Sequence, residues 1–212
     1  LFLTALVHDC GCQAQDILWY ELSAYPIETG CTIGFAEEFI SAPRLDNLTS
    51  VKACLDGILQ GSLSDGLQVV ALFDNEEVGS RTKQGAGSAV LLQLLERIYA
   101  QQGWSHEALL QDIAAGFMLS VDVAHALHPN YADKNDPTNK PLLNGGVVLK
   151  QAASQSYAGD AEAVAVTAGL CKAKGIPYQH FVNRADAKGG STLGSIASAL
   201  VPVRTMDIGV PL

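Results

Sequence analysis

The chain has 212 residues, 48% of them hydrophobic and 17% charged, and a net charge of −9 from 22 acidic and 13 basic side chains. A chain of this length buries roughly 70% of its unfolded surface, which excludes a disulfide-stapled mini-protein and a disordered tail. The acidic balance argues against a nucleic-acid partner, and no run approaches the ~20 apolar residues of a membrane helix.

The opening stretch from Leu1 to Cys12 reads as the end of a helix, and its first seven residues are apolar without the basic leader of a secretory signal. The sequence starts at Leu rather than Met, so it is expected to be a piece of something longer. Five cysteines, Cys10, Cys12, Cys31, Cys54 and Cys171, make an odd count. Cys10 and Cys12 are too close for the usual zinc-finger pair, so all five are expected to be free thiols of a cytoplasmic protein. Asp16 to Leu22 has the β-branched and aromatic content of a strand. Tyr25 to Glu37, with Pro26, Gly30 and Gly34, reads as irregular.

After Asn47 the period changes. Leu48, Val51, Leu55, Ile58 and Leu59 recur at helical spacing, and Gly61 stands where that helix should stop. Leu67 to Phe73 is a nearly continuous apolar run, which predicts a strand covered on both faces. Helices are expected over 87–101, 105–115, 160–173 and 191–200, and strands over 116–121, 146–149, 180–183 and 203–208. Strands alternating with helices predict a layered α/β fold, with no internal repeat and no flexible linker.

The polar residues of interest stand at the ends of these strands, where ligands bind in open α/β sheets. The run from Leu67 leads into Asp74-Asn75-Glu76-Glu77-Val78-Gly79-Ser80, with three carboxylates in four residues. Like charges this close raise at least one pKa, and a divalent cation would remove that cost. Adjacent glutamates on extended backbone point to opposite faces, so one can bind metal while the other faces a water. The alternative is a solvated acidic turn. Pro43-Arg44-Leu45-Asp46-Asn47 precedes a helix, so Asp46 is either a metal ligand or, like Asn47, an N-cap. Ser120-Val-Asp122-Val-Ala-His125-Ala-Leu-His128 ends a third strand in an acid and two histidines, common ligands of divalent metals or else packing residues. Lys150 ends the next strand, and Tyr157 follows seven residues on. The stretch Lys188-Gly-Gly-Ser-Thr-Leu-Gly194 opens a helix whose N–H groups could hold an anion, but it lacks the full P-loop pattern. Gly85-Ala-Gly87 likewise lacks the dinucleotide fingerprint. No Gly-x-Ser-x-Gly elbow occurs, and no cysteine stands out as an activated thiol. A carboxylate-rich, His-assisted centre with a spare glutamate suggests metal-assisted hydrolysis.

Four stretches in this order resemble the aspartyl aminopeptidases: Glu38 to Asn47, Asn75 to Ser80, Ser120 to Tyr131 and Gly189 to Gly194. The similarity runs from about Asp16 to Leu212. The glutamyl aminopeptidases share a Glu-Glu-Val-Gly stretch but fit His128-Pro-Asn-Tyr131 less well. The resemblance implies a three-layer α/β/α catalytic domain over residues 35–212, with a mixed, mainly parallel sheet. It implies that residues 1–34 are the tail of an inserted, β-rich dimerisation domain. It implies two zinc ions, with cobalt or manganese as substitutes, bridged by Asp46 and bound singly by Glu77 and Asp122. Glu76 would be the general base, and His125, Lys150 and Tyr157 would contact the substrate. The expected reaction removes an N-terminal residue, Asp or Glu, from peptides; the expected assembly is a homo-oligomer, with no membrane or nucleic-acid partner.

The family completes its metal shell with two histidines, in a His-x-Asp and a Met-His-Ser segment, and neither segment occurs here. The resemblance therefore implies an incomplete chain that binds metal weakly and is inactive alone. Asp74-Asn75 replaces a common Asp-His, and Lys188-Gly189 replaces a common Gly-Cys or Cys-Gly. Two readings of other classes stand beside the enzyme: a non-catalytic scaffold of oligomers, and a Ca²⁺ or Mg²⁺ module, which His125 and His128 disfavour.

Overall fold

The computed structural model describes residues 2–63, 65–187 and 189–212, and the chain divides into two units between Pro43 and Arg44. In the first unit, helix α1 (Phe2–Cys10) precedes a 3₁₀ turn (Ala14–Asp16) and a short hairpin. The hairpin pairs β1 (Cys31–Ile33) with β2 (Phe39–Ser41) antiparallel, Thr32 opposite Ile40. None of this unit's described residues is buried. The strand expected over Asp16–Leu22 does not form. No described strand lies along it, and Leu18 and Trp19 are exposed, so neither ladder bonds nor burial favours extended pairing there.

In the second unit, helix α2 (Leu45–Gln60) ends at Gly61 as its spacing predicts, with the Gly61 N–H donating to Gly57 O at 2.9 Å. Its first turn departs from the expectation that Asp46 or Asn47 caps it. Both have non-helical torsions and neither makes a side-chain cap bond. Asn47 instead donates from Nδ2 to Val121 O at 3.0 Å, a long-range tie in place of a local one. Helices α3 (Val90–Gln101) and α4 (His106–Ala115) share a core of Tyr99, Leu109, Ile113 and Val201. The Ser105 hydroxyl caps α4 by accepting from Ala108 N–H at 3.1 Å.

The apolar run Leu67–Phe73 is also not a strand. Leu67, Val69 and Leu72 are exposed, and no described strand lies alongside them. An apolar pattern supplies the side chains of a buried strand, but the ladder needs a second backbone.

The remaining expected strands form one sheet: β3 (Phe117–Ala124), β4 (Val147–Gln151), β5 (Tyr178–Val182) and β6 (Arg204–Pro211), in the order β3-β6-β4-β5. The pairs β3–β6 and β4–β5 are parallel and β6–β4 is antiparallel, so the sheet is mixed and mainly parallel. Side chains alternate between its faces. Leu149, Met206 and Ile208 pack with Ala163 and Val164 of α5 (Ala161–Lys174) on one face. Asp207 and its register partner Ser120 point to the other, where a Cβ on Gly194 of α6 (Leu193–Leu200) would strike the Asp207 carboxylate. Helix layers thus cover both faces, the three-layer α/β/α arrangement expected.

Candidate active site

The candidate residues gather on the sheet face shared with Asp207, toward the C-terminal end of β3. Asp122 lies two residues beyond Ser120 on β3, and Lys150 lies on β4 one residue beyond Leu149, so alternation puts both side chains on that face. Lys150 Nζ donates to Asp122 Oδ2 at 3.0 Å and to Val123 O at 2.9 Å. Lys150 is only 5% exposed. A buried ammonium needs such partners, because an unpaired one would lose its hydration without return. The Nζ also stands 4.7 Å from the centre of the Tyr157 ring, within cation–π range. Tyr157 is itself buried and meets Phe181 edge-on at 6.1 Å between ring centres.

Two hydrogen bonds bring the start of α2 to this place. Asn47 Nδ2 donates to Val121 O, and Ser50 Oγ donates to Asp122 O at 2.8 Å. Ser50 is buried. It lies four residues after Asp46, so its bond holds the start of α2 against β3. The Asp46 carboxyl is raised above the ordinary aspartate range by burial and then by the charge of Asp122, while Lys150 and His125 pull it down.

Glu76 arrives on a turn rather than a strand. Asn75 and Ser80 adopt left-handed torsions, Gly79 N–H donates to Glu76 O at 2.8 Å, and Ser80 N–H donates to Asn75 O at 2.9 Å. Gly87 N–H closes the loop onto Ser80 O at 2.9 Å, and a Cβ on Gly85 would lie 2.5 Å from that same oxygen. The two glycines of Gly85-Ala-Gly87 thus permit a close backbone approach. Burial pushes the Glu76 carboxyl above the usual glutamate range, and the negative charges of Asp122, Glu77 and Asp46 push it further, with Lys150 opposing. A cleft of about 580 Å³ opens beside Glu76, between this turn and α6.

Asp46, Glu76, Asp122 and Lys150 therefore feel one another's charge, His125 is sensed by Asp46, and Tyr157 backs Lys150. Glu77 is exposed and joins the group through its charge on Glu76. His128 is apart from it: its Nδ1 accepts from Asn130 N–H at 3.2 Å and caps a 3₁₀ helix over Pro129–Lys134. In the Gly-rich stretch, Lys188 lies outside the described residues, while Thr192 is buried and precedes α6. All five cysteines are free. Sequence reasoning missed Ser50 and Asp207. Neither carried a local signal, because the partners of both are distant in sequence.

Among the described residues, no group of three or more His, Cys, Asp or Glu side chains could hold a metal ion. A catalytic zinc takes at least three protein donors. The clustered acids suit a cation's charge, and the rise in the Asp46 and Glu76 proton affinities, due first to burial, includes a repulsion from neighbouring acids that a cation would relieve. Their number and spacing do not by themselves fit its coordination, and Lys150 already neutralises Asp122.

Residues 1–212 match the family model described as Aminopeptidase I zinc metalloprotease (M18). The chain is 44% identical over 210 residues to a probable M18 family aminopeptidase 2 of Clostridium novyi, covering 99% of this chain and 48% of that protein. It is 38% identical to a probable aspartyl aminopeptidase of Ricinus communis, covering 100% of this chain and 44% of that one. The crystal structure of an M18 aminopeptidase from Thermotoga maritima matches with a TM-score of 0.84 and 25% identity, over 98% of this chain and 47% of its own. The chain spans about half the length of the curated relatives it matches.

Proposed function

The chain belongs to the M18 family of zinc metalloproteases, and from that premise we propose that it contributes to a metal-dependent aminopeptidase that removes an N-terminal Asp or Glu from peptides. The observation that carries this reading is the convergence of three acids, Asp46, Glu76 and Asp122, on one buried cation, Lys150, at the end of the sheet. Glu76 is the general base. Its raised proton affinity makes it a better acceptor at neutral pH than an ordinary glutamate, which is what base catalysis on water requires. Asp46, Glu77 and Asp122 are the residues that would hold zinc, or cobalt or manganese in its place, and the metal would supply the charge that acidifies a water. Donors beyond the described residues must complete that shell.

Lys150 supplies the preference for acidic ends. Two of its three N–H donors are taken by Asp122 and Val123, which leaves one for a substrate carboxylate. Tyr157 holds the Lys150 head in place, and His125, whose charge Asp46 senses, is assigned as a further substrate contact. Residues 35–212 act as part of the catalytic domain of a cytoplasmic homo-oligomer, and residues 1–34 as the tail of an inserted dimerisation domain. None of that segment's described residues is buried, so its apolar side chains are open to cover by another surface.

The test is zinc- or cobalt-dependent release of N-terminal aspartate from a short peptide by the complete protein, with leucine as the competing end group. Aspartate release that stops with chelator supports the reading. Leucine release alone overturns the acidic preference, and no release from metal-loaded protein overturns the enzyme in favour of a scaffold.

A further inference from the structure

Asp207 is a fully buried carboxylate in the middle of β6 that the reaction above does not use. It grips one residue from two sides: Asp207 N–H donates to Ala158 O at 2.8 Å, and Ala158 N–H donates to Asp207 Oδ2. Ala158 follows Tyr157, whose ring backs the Lys150 ammonium, and that ammonium holds Asp122. The other carboxylate oxygen occupies the space that a Cβ on Gly194 would need. Burial raises the Asp207 carboxyl above the ordinary aspartate range and the facing hydroxyls of Ser120 and Thr192 oppose that rise, although Asp207 Oδ1 and the two hydroxyl oxygens make no hydrogen bond of ordinary geometry. Thr192 N–H in turn donates to Ser156 O at 3.3 Å, which ties the start of α6 to the same strap.

We propose that Asp207 is a positioning residue that clamps the strap of residues 155–159 to the sheet, and so sets Tyr157 against Lys150 and fixes the substrate-facing cation. The proposal rests on the reading of Lys150 and Tyr157 as substrate contacts. It also gives the Gly-rich stretch a role: Gly194 must lack a side chain because the Asp207 carboxylate is there.

The experiment compares Asp207→Ala, Asp207→Asn and Gly194→Ala in the complete protein, by steady-state kinetics on an aspartyl peptide and by hydrogen exchange at the Ala158 amide. Asp207→Ala and Gly194→Ala are expected to lower kcat/KM roughly tenfold or more, chiefly through KM, and to speed exchange at Ala158. Asp207→Asn keeps the volume and an acceptor oxygen, so it is expected to recover most of both. Unchanged exchange and KM in Asp207→Ala would overturn the clamp, as would an Asp207→Asn no better than Ala. If Asp207→Ala does not fold, the contrast between Asp207→Asn and Gly194→Ala decides. Lys150→Met separates the two levels. Wild-type kcat/KM in that variant overturns the reading of Lys150, while exchange at Ala158 still tests the clamp.

Discussion

The two halves of the candidate site are built by different means. Asp122 and Lys150 ride on paired strands, with ladder bonds on their flanks and a direct ion pair of 3.0 Å between them. Glu76 and Glu77 ride on a turn whose order comes from left-handed Asn75 and Ser80, two glycines and a few backbone bonds. The segment leading into that turn has the composition of a buried strand but no neighbour to pair with among the described residues. The strand-borne half is therefore fixed by tertiary structure, whereas the turn-borne half is fixed by local geometry. Local opening costs least where backbone bonds are few and exposed, so the turn is the softer side.

The largest expected effect is on the strand side. Lys150→Met strands the Asp122 carboxylate and the Val123 carbonyl, and is expected to cost about 3 kcal/mol in denaturant unfolding of the complete protein. A loss under about 1 kcal/mol would mean that the pair is solvated rather than structural. Next comes the turn. Gly85→Ala puts a Cβ 2.5 Å from Ser80 O, an overpacking expected to cost roughly 1–3 kcal/mol and to displace Glu76. If Gly85→Ala proves neutral in both stability and activity, the turn is looser than its geometry implies.

Smaller effects sharpen the comparison. Ser50→Ala removes the 2.8 Å bond to Asp122 O and is expected to cost about 1 kcal/mol, with activity falling because the start of α2 is held less firmly against the Asp122 backbone. Tyr99→Phe, remote from the site, removes a 2.6 Å bond from the phenol to Asp112 and sets a baseline of about 1 kcal/mol without loss of turnover. That bond and burial push the Tyr99 hydroxyl up to about 12. A raised pKa means that the folded state holds the proton more tightly. The stabilisation is thus full below pH 10, the usual tyrosine value, and is lost as pH rises from about 10 to about 12. Urea midpoints for wild type and Tyr99→Phe should converge over that range.

The sheet was legible because β3, β4, β5 and β6 have apolar patterns that the fold satisfies with each other. Asp122 and Lys150 could be placed at strand ends for the same reason. The strands expected at 16–22 and 67–73 show where pattern stops short, because a strand requires a partner backbone that its own residues cannot reveal. Asn47 looked like a helix cap and instead bonds Val121, 74 positions away, a contact that local spacing cannot encode. Asp207 was invisible for a related reason. Its significance lies in Ala158, Ser120 and Gly194, which only the packing of β6 against β3 and α6 brings to it.

The central claim is that Glu76 acts as the base. The most direct measurement is kcat for Glu76→Gln in the complete, metal-loaded protein, with metal content determined alongside. Gln keeps the shape but cannot accept the proton, so metal content should hold while kcat falls by roughly 10²–10⁴-fold. Turnover near wild type with metal retained would contradict the assignment.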